Sequence, residues 1–140
     1  MSRHAIVVAR FYEELADRLV AGAQRALGGG AEVFDVPGAF ELPVAAKLLA
    51  ASGRYDGVVC LGAVIRGETD HYDYVCAEAA RGIQQVQLDT GVPCGFGVLT
   101  VDTYEQALER SGEGKRDSGA HAAEAVLAVG RIRDALAGSA

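Results

Sequence analysis

The segment Gly62-Ala63-Val64-Ile65-Arg66-Gly67-Glu68-Thr69-Asp70-His71-Tyr72-Asp73-Tyr74-Val75-Cys76 combines residue types that support proton transfer beside an anion. It reads as the end of a buried strand, a glycine-bounded polar loop and the opening turns of a helix, with His71 where the helix starts. The first turn of a helix leaves backbone N–H groups free and presents the positive end of its dipole, which suits a phosphate. Imidazole is the side chain that exchanges protons near neutral pH. A phosphate cradle with a proton carrier on its rim is a reaction site in outline. Thr69 fits either as a helix cap or as a hydroxyl for a phosphate oxygen. Glu68 and Asp70 would repel a dianion, so their side chains must turn away and leave backbone N–H groups facing the ligand.

Further candidates lie outside that segment. Phe11, just past an apolar run, either covers the edge of the core or stacks on a planar ligand. Glu41, in Pro37-Gly38-Ala39-Phe40-Glu41, either complements a helix dipole or accepts hydrogen bonds from ligand hydroxyls. Arg66 and Arg110 are the candidate cations for the phosphate, although Arg110 falls at a helix end where cations are favoured regardless. Lys115-Arg116 reads as a solvated charge pair, and His4 and His121 as structural or surface residues.

The elements that must hold these residues alternate along the chain. His4 to Ala9 is a continuous apolar run, as expected of a strand buried on both faces. Phe11 to Leu27 reads as a helix with Leu15, Leu19 and Ala23 inward, stopped by Gly28-Gly29-Gly30. Ala31 to Val36 is a second strand, closed by Pro37-Gly38. A helix over Phe40 to Ala51 tolerates Pro43 in its first turn. Val58 to Leu61 forms the third strand, and the helix from His71 places Tyr72, Val75, Cys76, Ala79, Ala80 and Ile83 on one face. Val92 to Leu99 is a fourth strand weakened by its glycines. Thr103 caps a short helix through Arg110, and a last helix carries Ala125, Val129, Ile132 and Leu136 as its buried stripe. The alternation predicts an α/β three-layer sandwich, a four-stranded parallel sheet flanked by helices, as one domain over residues 1–140. In such sheets ligands bind outside the carboxyl ends of the strands, and the distinctive residues all follow strands. A sheet this small, with two edges, would gain from covering its faces with other subunits.

The bulk numbers narrow the function classes. The 140 residues carry a formal net charge of −6, which argues against a nucleic-acid partner and requires any anion to be held locally. No apolar run is long enough to span a bilayer, and no signal-peptide pattern precedes the first strand, so the expected location is the cytosol. Cys60, Cys76 and Cys94 lie in apolar segments without zinc-site spacing and read as buried, reduced thiols.

At these residues the sequence resembles the 6,7-dimethyl-8-ribityllumazine synthase family, whose enzymes catalyse the penultimate step of riboflavin synthesis. The resemblance covers nearly the whole chain. It runs through Val8-Ala9-Arg10-Phe11, Val36-Pro37-Gly38-Ala39-Phe40-Glu41-Leu42-Pro43, Gly62 to Val75, Gly91-Val92-Pro93, Phe96 to Thr100, and Glu105-Gln106-Ala107 with Glu109-Arg110. It implies a flavodoxin-like fold and the condensation of 5-amino-6-ribitylaminouracil with 3,4-dihydroxy-2-butanone 4-phosphate, without metal or organic cofactor. By position it assigns Phe11 to stack on the pyrimidine, Ala63, Val64 and Ile65 to line it, and Ala39, Phe40 and Glu41 to hold the ribityl chain. Glu68 (through its backbone), Thr69 and Arg110 would take the phosphate, and His71 would donate and accept protons. Phe96 would reach the site of an adjacent subunit, since family sites lie between protomers of a homopentamer.

Three departures from the family pattern stand out. Tyr12 occupies a position where asparagine is common, and Ser118 one where lysine is frequent, with Lys115 or Arg116 as substitutes. The expected N-terminus is short, without the leading segment that pairs with a neighbour in some members. The departures at Tyr12 and Ser118 sustain an alternative of another class, a non-catalytic flavin- or lumazine-binding homologue; a purely structural shell protein is a third. The turn Ser111 to Arg116 differs from the threonine-lysine-rich version associated with sixty-subunit shells, which favours a free pentamer.

Overall fold

The computed structural model describes residues 3–112 and 116–138. Among these, four strands and five α-helices alternate: β1 (His4–Ala9), α1 (Glu13–Leu27), β2 (Glu32–Val36), α2 (Leu42–Ala51), β3 (Gly57–Ile65), α3 (His71–Thr90), β4 (Cys94–Val101), α4 (Tyr104–Arg110) and α5 (Ser118–Gly138). A single 3-10 turn, Ala39–Glu41, leads into α2. The strands are all parallel and lie in the order β2-β1-β3-β4. No helix of the described residues is long and apolar enough to cross a membrane.

Alternation of side chains along β1 and β3 splits the core into two layers. Ile6, Val8, Val59 and Leu61 face Leu15, Leu19 and Ala23 of α1 together with Ala122, Ala123 and Val126 of α5. Val7, Val58 and Cys60 face Leu42 and Ala46 of α2 and Val75, Ile83 and Val86 of α3. The three-layer α/β arrangement expected from the alternation is therefore the arrangement found. Thr103 caps α4 as anticipated, accepting from the Gln106 N–H at 3.1 Å, while the Gln106 side chain returns to the Thr103 N–H at 3.2 Å.

Several boundaries and faces differ from the sequence expectation. Helix α1 begins at Glu13, leaving Phe11 and Tyr12 in the loop after β1. Strand β3 runs four residues beyond Leu61, because Gly62 to Ile65 continue to pair with β4 after β1 has ended. Ala80 is exposed, and Cys76 is only half-buried, while Cys60 and Cys94 are buried. Burial pushes the Cys60 thiol far up and that of Cys94 to about 11.

The largest correction concerns α5. Its buried residues are Gly119, Ala122, Ala123 and Val126, whereas Ala125, Val129, Ile132 and Leu136 lie outward, the last two 62% and 70% exposed. The reason is visible in β4. Gly95 and Gly97 present no side chain to α5, so the helix comes down onto the strand with its small residues. A Cβ on Gly95 would collide with the Ala122 carbonyl oxygen and approach Val126 Cγ2 at 2.9 Å; one on Gly97 would approach Leu61 Cδ2 at 2.6 Å. The glycines that weaken β4 as a strand are what let α5 pack. Gly95→Ala is expected to destabilise the fold by roughly 1–3 kcal/mol, as overpacking does, read as a lower denaturant midpoint at unchanged slope. An unshifted midpoint would mean that the helix is not seated on β4.

Candidate active site

The strand order reverses direction at β1. From there the chain goes first outward to β2 through α1, on one face, then back across to β3 through α2, on the other. The two carboxyl ends flanking this switch point diverge, and a cavity opens between them. Its volume is about 420 Å³, and it is lined by Phe11 and Tyr12 after β1, Gly38 to Glu41 after β2, Ala63, Val64 and Ile65 of β3, and His71 and Val75 of α3. Val8 of β1 pairs with Leu61, whereas Ala63, Val64 and Ile65 pair with Leu99, Thr100 and Val101 of β4 only. The last residues of β3 therefore stand clear of β1, with one backbone edge facing the cavity and no strand against it. Such an edge offers N–H and C=O groups to a flat ligand that has donors and acceptors on its own rim.

The cavity gathers Phe11, Ala39, Phe40, Glu41, Ala63, Val64, Ile65 and His71 from four separate parts of the sequence. Phe11 is 73% exposed, so it does not cover the core edge; its ring is a wall of the cavity. Glu41 turns one carboxylate oxygen back to the Gly38 N–H at 2.9 Å, closing the 3-10 turn, which leaves its other oxygen for a ligand. Val75 follows His71 by one helical turn and so shares its face, a signal that the spacing carried. Gly38 lines the cavity as part of the turn after β2.

Arg66 to Asp70 form the exposed loop between β3 and α3. Thr69 Oγ1 accepts the His71 N–H at 3.3 Å, supporting the start of α3. Arg66 does not stand free as a phosphate cation. Its Nε donates to Asp102 at 2.9 Å, its Nη1 lies 3.7 Å from Asp73, and its guanidinium sits 4.3 Å above the Tyr72 ring. The hydrogen bond to Asp102 raises its pKa further. It thus works as a clasp joining the end of β3, the start of α4 and the first turn of α3, the turn that carries His71. Burial pushes the Tyr72 phenol above its ordinary range.

Four residues expected at the site do not line this cavity: Glu68 and Thr69, in the exposed loop just before His71, and two that lie elsewhere in the single chain. Phe96, on the edge strand β4, lines a separate cavity with Gln87 of α3 and His121, Ala122 and Val129 of α5. Arg110 ends α4, half-buried, and is not among the residues lining the switch-point cavity. Ser118 opens α5 and Arg116 is exposed, while Lys115 lies outside the described residues.

Sheet order and cavity define an α/β fold with an open cavity at the switch point, a histidine on its rim and an aromatic wall. The model of one family, described as 6,7-dimethyl-8-ribityllumazine synthase, matches residues 1–133. The chain is 48% identical over 140 residues to the 6,7-dimethyl-8-ribityllumazine synthase of Nitratidesulfovibrio vulgaris (strain DSM 19637 / Miyazaki F), covering 96% of this chain and 90% of that one. It is 56% identical over 116 residues to the protein of the same name from Desulfatibacillum aliphaticivorans, covering 79% and 75%. For the one from Desulfosudis oleivorans (strain DSM 6200 / JCM 39069 / Hxd3) the figures are 46% over 138 residues, 94% and 88%. The chain belongs to the 6,7-dimethyl-8-ribityllumazine synthase family.

Exposed ion pairs add little to global stability, so the Arg66 clasp acts locally. Arg66→Ala is expected to leave the global unfolding midpoint in place while amide exchange over Tyr72 to Val75 accelerates. Unchanged exchange there would show that the start of α3 is held by other contacts.

Proposed function

We propose that this chain condenses 5-amino-6-ribitylaminouracil with 3,4-dihydroxy-2-butanone 4-phosphate to 6,7-dimethyl-8-ribityllumazine, releasing phosphate and water. The observation that carries this reading is the convergence of an aromatic wall, an unpaired strand edge, a short polar turn and a histidine on one cavity. Phe11 stacks on the pyrimidine, and the free edge of Ala63, Val64 and Ile65 meets its imide rim. Ala39, Phe40 and the second oxygen of Glu41 hold the ribityl hydroxyls. The N–H groups of Glu68 and Thr69 take the phosphate at the start of α3, with Arg110 supplying the positive charge that the chain as a whole lacks.

The chemistry is a relay of protons. The 5-amino group adds to the ketone, and water leaves as the imine forms. Loss of the proton from the neighbouring carbon expels the phosphate and leaves an enol, which takes up a proton at carbon to become a ketone. The ribitylamino nitrogen closes on that carbonyl, and a second water departs. Each step moves a proton near neutral pH, the task suited to His71. Both reactants are intrinsically reactive, so holding them in register supplies much of the acceleration.

Phe96 and Arg110 complete the site, in this reading, only where copies of the chain meet. Support comes from the surface: Val129 sits beside Phe96 in the same cavity, and Ile132 and Leu136 extend that exposed apolar stripe along α5. A homopentamer in the cytoplasm, with sites between neighbours, is the assembly we infer, in preference to a sixty-subunit shell.

His71→Ala is expected to slow turnover by about 10²-fold or less, followed as lumazine absorbance and phosphate release with purified protein and both substrates. Michaelis constants should move little. Full activity in the variant would reduce His71 to a structural residue of the helix start. In sedimentation the dominant species should have pentamer mass, and a catalytically competent monomer would overturn the shared site.

A further inference from the structure

Phe11 is an exposed ring on a loop, and a ring free to turn is a poor platform for stacking. Immobilising it on binding would consume part of the affinity gained. The structure places a brace behind it. Tyr12 meets the Phe11 ring edge-on, with centroids 4.9 Å apart and planes at 73°. Tyr12 in turn meets Tyr104 at 6.2 Å and 65°. The Tyr104 hydroxyl donates to Glu14 Oε1 at 2.7 Å. Tyr12 is half-buried and packs on the core layer beneath α1, and its carbonyl accepts the Ala16 N–H at 2.9 Å. Three rings thus run from the cavity wall to the first residue of α4, tied at the far end to α1. The edge-to-face geometry fixes the tilt of each ring through its quadrupole as well as its shape.

We propose that Tyr12 is a positioning residue that pre-orients Phe11 for stacking on the heteroaromatic substrate, acting through its ring and not its hydroxyl. The inference rests on the condensation reading above and extends it to the selectivity of this chain for the pyrimidine over the phosphorylated partner. A small polar residue at position 12 would contact the ligand differently and could not hold the Phe11 ring.

The test compares wild type, Tyr12→Leu and Tyr12→Phe for KM of each substrate, kcat, and the affinity for 6,7-dimethyl-8-ribityllumazine by fluorescence quenching. Tyr12→Leu is expected to weaken the pyrimidine and the lumazine by roughly two- to tenfold, the range that aromatic pair energies correspond to. KM for the butanone phosphate should stay within about twofold of wild type, the split that a merely structural role would not produce, and Tyr12→Phe should restore affinity. Equal losses in Tyr12→Leu and Tyr12→Phe would assign the effect to the hydroxyl and overturn the brace, as would an unchanged Tyr12→Leu. Because Tyr12 also lines the cavity, Tyr104→Leu, outside that lining, is measured in every case and removes the outer ring alone. A smaller loss confined to the pyrimidine and lumazine then supports the brace, and no loss overturns it. Wild-type protein that neither turns over nor binds lumazine would sink the condensation reading and the brace with it; wild-type turnover beside an unaffected Tyr12→Leu would sink the brace alone.

Discussion

The register between β1 and β3 is the constraint on which the site depends. β1 stops at Ala9, while β3 continues to Ile65 on the strength of its pairing with β4. That mismatch exposes a backbone edge at the switch point and sets the floor of the cavity. It also delivers Arg66 to the height of Asp102, where the clasp closes over the first turn of α3. Had β3 ended level with β1, His71 would start its helix lower and the cavity would lose its one apolar wall with free N–H and C=O groups.

Charge follows the same local logic. The chain is acidic overall, so its general field repels phosphate, and carboxylates at Glu68 and Asp70 border the loop itself. Two of the nearby cations are already committed, Arg66 to Asp102 and Arg10 to Asp17 and Asp35 at 2.6 and 2.9 Å. Those hydrogen bonds raise the pKa of both guanidiniums and hold their charge in structural work. In the reading proposed here, phosphate is therefore met by the N–H groups of the helix start and by Arg110 at a boundary between copies, not by a basic basin in the single chain.

Fold class and most of the cavity were legible in the sequence because both rest on local signals. Apolar runs, glycine and proline punctuation and the Thr103 cap mark the elements, and their alternation leaves a parallel sheet as the simple solution. Once the sheet is parallel, residues after each strand must meet at one rim, which is why Phe11, Glu41 and His71 group together on sequence grounds alone. What was not legible depends on distance across the fold. The commitment of Arg66 requires Asp102, thirty-six positions away. The length of β3 is decided by its partner β4, not by its own residues. The role of Tyr12 requires Tyr104, which nothing in the local spacing connects to it.

The face that α5 buries differs from the sequence expectation for a reason that bears on association. Large apolar residues ordinarily mark the buried stripe of a helix, yet here the buried stripe is glycine, alanine and one valine, because β4 and α1 leave no room for more. Gly119 sits against the Leu19 backbone and Ala122 against Gly95 and Gly97. With the close contact reserved for small side chains, Val129, Ile132 and Leu136 are left pointing away from the core of their own chain. A single copy thus carries a line of apolar groups that begins beside Phe96 and that, among the described residues, nothing covers. The same glycines that seat α5 therefore expose the surface on which, in the assembly inferred here, a neighbouring copy rests and through which Phe96 would reach the neighbour's site.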